Sequence, residues 1–116
     1  MVNYRDLGIL ESITIHCDRI ETVTKGLTKE EYLKNVDYRE IICFHILQIG
    51  ELVKHLSADF VKENKTIPWK KIAGMRDKVA HGYGTIDIEE VWKVAHKDVP
   101  VLNQYCKQIL ALAENQ

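Results

Sequence analysis

In the stretch WKKIAGMRDKVAHGY, running from Trp69 to Tyr83, an arginine, an aspartate, a histidine and a tyrosine fall at Arg76, Asp77, His81 and Tyr83. These types together can hold an anion and move a proton. An arginine grips phosphate or carboxylate through two parallel hydrogen bonds. A histidine gains and loses its proton near neutral pH, and a carboxylate beside it can orient the ring or raise its pKa. A phenol at an accessible position can act as a nucleophile.

Helical phase decides which of these groups can meet. With each residue advancing about 100°, Ile72, Met75 and Val79 gather into one stripe and define a buried face. His81 comes out roughly opposite that face, with Asp77 four residues earlier beside it on the open side. Arg76 borders the buried stripe, about 140° from His81 on an ideal helix, too far for both to touch one small group unaided. The long arginine side chain can sweep part of that arc, and a two-fold partner can bring up a second copy of the segment. Gly82 should end or loosen the helix and leave Tyr83 free to turn toward either neighbour.

Each residue also has a bland reading. His81 could simply suit the dipole at a helix C-terminus, Arg76 could pair with Asp77 or Glu51 at the surface, and Tyr83 could be a half-buried aromatic. Asp77 reads equally as a solvated helix residue. Glu51, directly after Gly50, could instead position Arg76 across a helix packing.

The elements that must carry this segment are all helical. Ile9, Ile13, Cys17 and Ile20 recur at helical spacing with Gly26 beyond them, which predicts a first helix over Asn3 to Thr24. Thr28 with Glu31 reads as a capping box for a short helix, Lys29 to Asn35. Asp37 with Glu40 repeats the device for a long helix, Tyr38 to Ser57, whose apolar residues surround its first turns. A helix apolar all round sits centrally or is shared between a core and a partner chain. Lys62 to Thr66 reads as a loop, Pro68 as a helix start, and the next helix runs from Trp69 to Gly82. Asp87 with Glu90 is a third box, and Pro100 should kink or divide the last segment. Beyond it Leu102, Tyr105, Cys106, Ile109, Leu112 and Ala113 form one stripe. No segment alternates with period two. The expected architecture is an all-α, up-and-down antiparallel bundle of four to five helices, one domain over residues 1–116.

Bulk properties narrow the function classes. At 116 residues, 46% hydrophobic and 28% charged, the chain has the size and composition of one soluble globular domain, which excludes disordered and fibrous classes. A formal net charge of -1 gives no global field for nucleic acid, so any such binding must be local. Lys62, Lys65, Lys70 and Lys71 around Trp69 are the one basic concentration, read first as a solvated face and second as a phosphate-binding strip. Cys17, Cys43 and Cys106 read as buried reduced thiols. His16, His45, His55 and His96 show no ligand spacing, so neither a metal site nor a cofactor is expected. Asn3, Arg5 and Asp6 speak against an apolar leader, and the longest apolar run is too short to span a bilayer, so the expected location is the cytoplasm.

The string Arg76, four residues, His81, one residue, Tyr83 resembles the R-x4-H-x-Y motif of the HEPN ribonucleases, specifically their HepT-like branch. Supporting residues follow in order along the chain: Arg39, Ile49-Gly50-Glu51, Ile67-Pro68-Trp69, Gly74-Met75-Arg76, Asp87, Val91-Trp92 and Val99-Pro100. The similarity runs from about Asn3 to Ala113. Gly84 departs from it, since an aromatic residue follows the tyrosine in many relatives. A bare R-x4-H would be weak, because chance produces it in many helices.

The resemblance implies a homodimer with two motifs facing one cleft and metal-independent cleavage of RNA, with Arg76 and His81 as catalytic residues. It further implies a toxin role, with Tyr83 the point where an MntA-type nucleotidyltransferase antitoxin attaches AMP. Two other classes stay open: a non-enzymatic helical adaptor that holds such a nucleotidyltransferase, and a small-nucleotide-binding bundle. The latter is disfavoured because no glycine-rich phosphate loop is present.

Overall fold

The computed structural model describes residues 2–81 and 87–115, except the side chains of residues 78–81, and every regular element in them is helical. In order these are α1 (Tyr4–Thr24), α2 (Lys29–Lys34), α3 (Val36–Lys54), α4 (Ala58–Glu63), α5 (Trp69–His81), α6 (Ile88–Lys93), a π-helical stretch (Val94–Asp98) and α7 (Val99–Glu114).

Short polar side chains set the helix starts. Thr28 and Glu31 form the expected box, with Glu31 N–H donating to Thr28 Oγ1 at 3.1 Å and Thr28 N–H to Glu31 Oε1 at 3.0 Å. Asp87 accepts from the N–H groups of Glu89 and Glu90 and opens α6. The expected Asp37–Glu40 box is not what opens α3: Asn35 does so, accepting from Asp37 N–H at 2.9 Å, and the helix starts at Val36. Ser57, expected to close that helix, instead caps α4 by accepting from Phe60 N–H, and α3 ends at Lys54. Lys62 and Glu63, expected in a loop, finish α4. Six residues are too few to display an apolar period, so Ser57 was the one sequence signal of that helix.

Two cross-helix contacts fix the direction of α3 against α1: Asp6 meets Ser57 and His16 meets His45, so the pair is antiparallel. Glu21 meets Asn103 and Asp18 meets Lys107, which sets α7 antiparallel to α1 on its other side. α5 lies against α3, giving the lateral order α7, α1, α3, α5. Leu10, Ile13, Cys17 and Ile20 of α1 pack with Ile42, Ile46, Ile49 and Val53 of α3, and with Leu102 and Cys106 of α7. Each buried aliphatic side chain stabilises the fold by about 1.5–3 kcal/mol. The all-round apolar start of α3 has one unburied side, where Ile41 is 40% and Phe44 54% exposed.

Polar anchors complete the frame. Asp6, only 1% exposed, accepts from Ser57 N–H at 2.9 Å and Ser57 Oγ at 2.6 Å, tying the start of α1 to the cap of α4. Asn64 fixes the start of α5: its carbonyl accepts from the Trp69 indole N–H at 2.9 Å, and its Oδ1 accepts from the Tyr105 hydroxyl at 2.6 Å. Trp69 packs against Phe60 at 5.7 Å between ring centroids.

At Pro100 the helical path runs unbroken from α6 into α7 through the π stretch, in which Val99 N–H reaches back five residues to the Val94 carbonyl. The proline, expected to kink or divide the segment, does not interrupt the path; a change of helix type ahead of it takes the place of a break. In continuous α register the ring would press on the carbonyl four residues earlier, and a wider turn directly ahead of Pro100 relieves that register.

Candidate functional site

The site starts from a glycine. Gly50 lies buried on α3 where α5 crosses, and a Cβ built there would overlap Cβ of Arg76 and press on the Ile72 carbonyl oxygen at 3.2 Å. The missing side chain lets the α5 backbone approach α3, so Arg76 leaves its helix directly at the seam. Next in sequence, Glu51 places Oε2 3.1 Å from Arg76 Nε. That Nε–H is buried and has no aligned acceptor among the described residues, so the Glu51 contact is Coulombic proximity and not a directed hydrogen bond. The structure thus brings Glu51 and Arg76 together, a contact that both the positioning reading and the plain ion-pair reading call for.

The guanidinium's outer side meets a second carboxylate. Arg76 Nη1 donates to Asp77 Oδ1 at 3.2 Å, and the same oxygen accepts from Lys54 Nζ of α3 at 2.6 Å. The Lys54 hydrogen bond first, and the Arg76 bond beside it, hold the Asp77 carboxyl below the usual carboxylate range. Two cations and two carboxylates thus alternate along the seam as Glu51, Arg76, Asp77 and Lys54. Glu51 Oε1 also lies 3.5 Å from His55 Nε2. All four ions are partly open to solvent, with Arg76 the most enclosed at 26% side-chain exposure.

Of the residues expected in the site, Arg76, Asp77 and Glu51 come together. His81 is the last residue of α5, five positions beyond Arg76 on the same helix; its side chain is outside the described residues. Tyr83 likewise lies outside them. Lys54 is the member that sequence reasoning missed, because no spacing distinguishes it from the other fifteen Lys and Arg residues of a total of 16.

The remaining reactive groups stand apart. Cys17, Cys43 and Cys106 are buried and free; burial pushes the Cys106 thiol up to about 12 and raises the other two, which leaves them inert as nucleophiles. His16 Nδ1 and His45 Nδ1 lie 3.0 Å apart between α1 and α3, one donating and one accepting, and burial lowers the pKa of both. Lys62, Lys65, Lys70 and Lys71 are exposed, and Lys71 pairs with Asp98 at 3.4 Å. Trp69 is buried, so it offers those lysines no stacking surface for a base. Among the described residues no three His, Cys, Asp or Glu side chains gather as a metal site, and no helix is long and apolar enough to cross a membrane.

Comparison with known proteins agrees with the resemblance. The family described as Ribonuclease HepT-like matches residues 13–109. A protein of Caldanaerobacter subterraneus named "Putative RNase" is 34% identical over 101 residues, covering 87% of this chain and 90% of its own. A protein of Methanocaldococcus jannaschii with the same kind of name is 34% identical over 109 residues, covering 91% and 92%. A "Probable ribonuclease HepT" of Thermococcus cleftensis is 35% identical over 95 residues, covering 80% and 84%. No solved structure matches the chain. The chain belongs to the Ribonuclease HepT-like family.

Proposed function

We propose that this member of the HepT-like family is an endoribonuclease toxin that cuts RNA without a divalent metal, at a cleft formed by two copies of the chain. The observation that carries the reading is the placement of Arg76: it is seated at the α3–α5 seam by Gly50 and Glu51, with its outer Nη1 turned to an exposed carboxylate and His81 on the same helix. In the reaction, the ribose 2'-oxygen attacks phosphorus and loses its proton to a base. The bond from phosphorus to the 5'-oxygen breaks, that oxygen takes a proton from an acid, and a 2',3'-cyclic phosphate remains. His81 serves as the proton-transfer group, the two copies supplying one base and one acid. Arg76 binds the phosphate as its charge builds up. The solvent-facing apolar side of α3, with Ile41 and Phe44, supports pairing with a second chain.

The regulatory half of the reading concerns Tyr83, which matches the motif tyrosine. An MntA-like nucleotidyltransferase attaches AMP there: the phenol oxygen attacks the α-phosphate of ATP and pyrophosphate leaves. Each AMP adds negative charge and bulk beside Arg76, where the RNA phosphate must lie, so modification silences cleavage without unfolding.

Digestion of total RNA in EDTA tests the catalytic claim. Wild type should cut and leave 2',3'-cyclic ends, and His81→Ala and Arg76→Ala should not, with helicity and dimer mass retained. Complete dependence on added Mg or Mn refutes the mechanism, and growth inhibition retained in both variants points to the adaptor. Intact mass after incubation with an MntA-like enzyme and ATP should show whole AMP additions that vanish in Tyr83→Phe.

A further inference from the structure

Lys54 and Arg76 come from different helices, yet they converge on one oxygen. Lys54 Nζ approaches Asp77 Oδ1 to 2.6 Å and Arg76 Nη1 approaches it to 3.2 Å, so that oxygen sits where two cations are already aimed. A phosphate oxygen has the same charge type and the same need for charge-assisted donors. Asp77 is itself 51% exposed and Lys54 37%, so an external anion can reach the position without opening the core.

We propose that Lys54 is a phosphate-binding residue of this site, and that the Asp77 carboxylate occupies the shared anion position at rest and is displaced by an RNA phosphate. The inference rests on the ribonuclease reading and deepens it, assigning a second phosphate cation and a resting competitor. Glu51 does not compete in this way, because it faces Nε behind the guanidinium and leaves the outer donors for the incoming anion. Displaced from Lys54 and Arg76, Asp77 is free to swing outward on the exposed side of α5. The resting site is thus electrically balanced, and binding substitutes one anion for another.

The arrangement makes two neighbouring charge removals act in opposite directions. The probe is a fluorescein-labelled single-stranded oligoribonucleotide with 2'-O-methyl groups, which cannot supply the attacking hydroxyl, so binding is read apart from cleavage. Lys54→Gln should weaken binding several-fold and reduce the slope of log affinity against log salt by about 0.7, the value for one lost phosphate contact on a single strand. Asp77→Asn should tighten binding several-fold and keep the wild-type slope. Lys25→Gln, a charge removal at the end of α1, should leave both quantities unchanged.

An ion pair with a purely structural role predicts that both seam variants act alike, weakening binding through a looser seam. Weakening in both, or no change in Lys54→Gln while wild type binds, overturns the proposal and leaves the ribonuclease reading standing. A wild type that neither binds this probe at low salt nor cuts natural RNA takes down the ribonuclease reading and this proposal with it.

Discussion

The two flanks of the bundle carry polar clusters built from similar parts, and they behave differently. Between α1 and α7, Asn103 Nδ2 donates to Asp18 Oδ1 at 2.8 Å and also to Glu21, while Lys107 Nζ donates to Asp18 Oδ1 at 2.8 Å. Between α3 and α5, Glu51, Arg76, Asp77 and Lys54 alternate in the same fashion. The difference lies in the central group. Asn103 is 3% exposed and neutral, with an Oδ1 that finds no partner among the described residues. No solute can replace it without separating the helices, so that cluster is a clasp. On the other flank the central groups are ions in contact with water, and any better anion can take a carboxylate's place. Burial of the bridging atom, more than the inventory of charges, separates a fastening from a site.

Substitutions on either flank can break this contrast. The largest effect is expected from Arg76→Ala, which should lower RNA cleavage by about 10²–10³-fold, the range for removing one donor to a developing charge, with little change in melting temperature. A comparable loss of stability would place Arg76 with the clasps. Gly50→Ala should cost about 1–3 kcal/mol of stability as the new Cβ forces α5 off α3, and should also lower kcat by displacing Arg76. Normal kcat in that variant would show that Arg76 does not depend on the close approach.

On the opposite flank, Asn103→Ala should cost about 1–3 kcal/mol in urea denaturation and leave kcat untouched. A changed kcat would show the two flanks coupled. The smallest effect is in acid. Lys107 and Asn103 hold the Asp18 carboxyl below its ordinary range. Its contribution is therefore fully present above the unfolded value of about 3.9 and is lost as pH falls through the folded value below that. Wild type should exceed Asp18→Asn in stability at neutral pH and lose that lead on acidification. A lead that persists in strong acid would remove Asp18 from the clasp.

Where the residues of one segment interact among themselves, the sequence was a good guide. The Thr28 box, the Asp87 cap and the first part of the α7 stripe, Leu102 to Ile109, each follow from spacing over a few positions, and the structure has them; Leu112, read into the same stripe, is 66% exposed, and Leu110 packs against the core instead. Arg76 with Glu51 is expected from the sequence in two forms, as a plain surface pair and as a positioning contact across the helix packing, and the spacing does not choose between them. Lys54 was invisible, since its partner lies 23 residues away and nothing local distinguishes it. Asp6 was read only as a charge near the N-terminus, and its burial against Ser57 depends on the whole of α1 and α3 being in place. Asn35 displaced Asp37 as the cap because both types suit that role, and two positions of phase separated them.

The π stretch ahead of Pro100 carries one more consequence, which concerns chain length. Val94–Asp98 holds the helix in a wider turn, which takes up one residue more than an α turn would. Deleting a single residue from those five would therefore return the path to plain α register and leave α7 close to its present phase, with Leu102 and Cys106 still facing the core. The cost would fall on Pro100 alone, whose ring would then press on the carbonyl four residues earlier. A one-residue deletion here should destabilise the chain, and Pro100→Ala in the same variant should restore it. Related sequences that lack a residue in this stretch should also lack the proline, since a continuous α-helix has neither room for the ring nor use for the extra position.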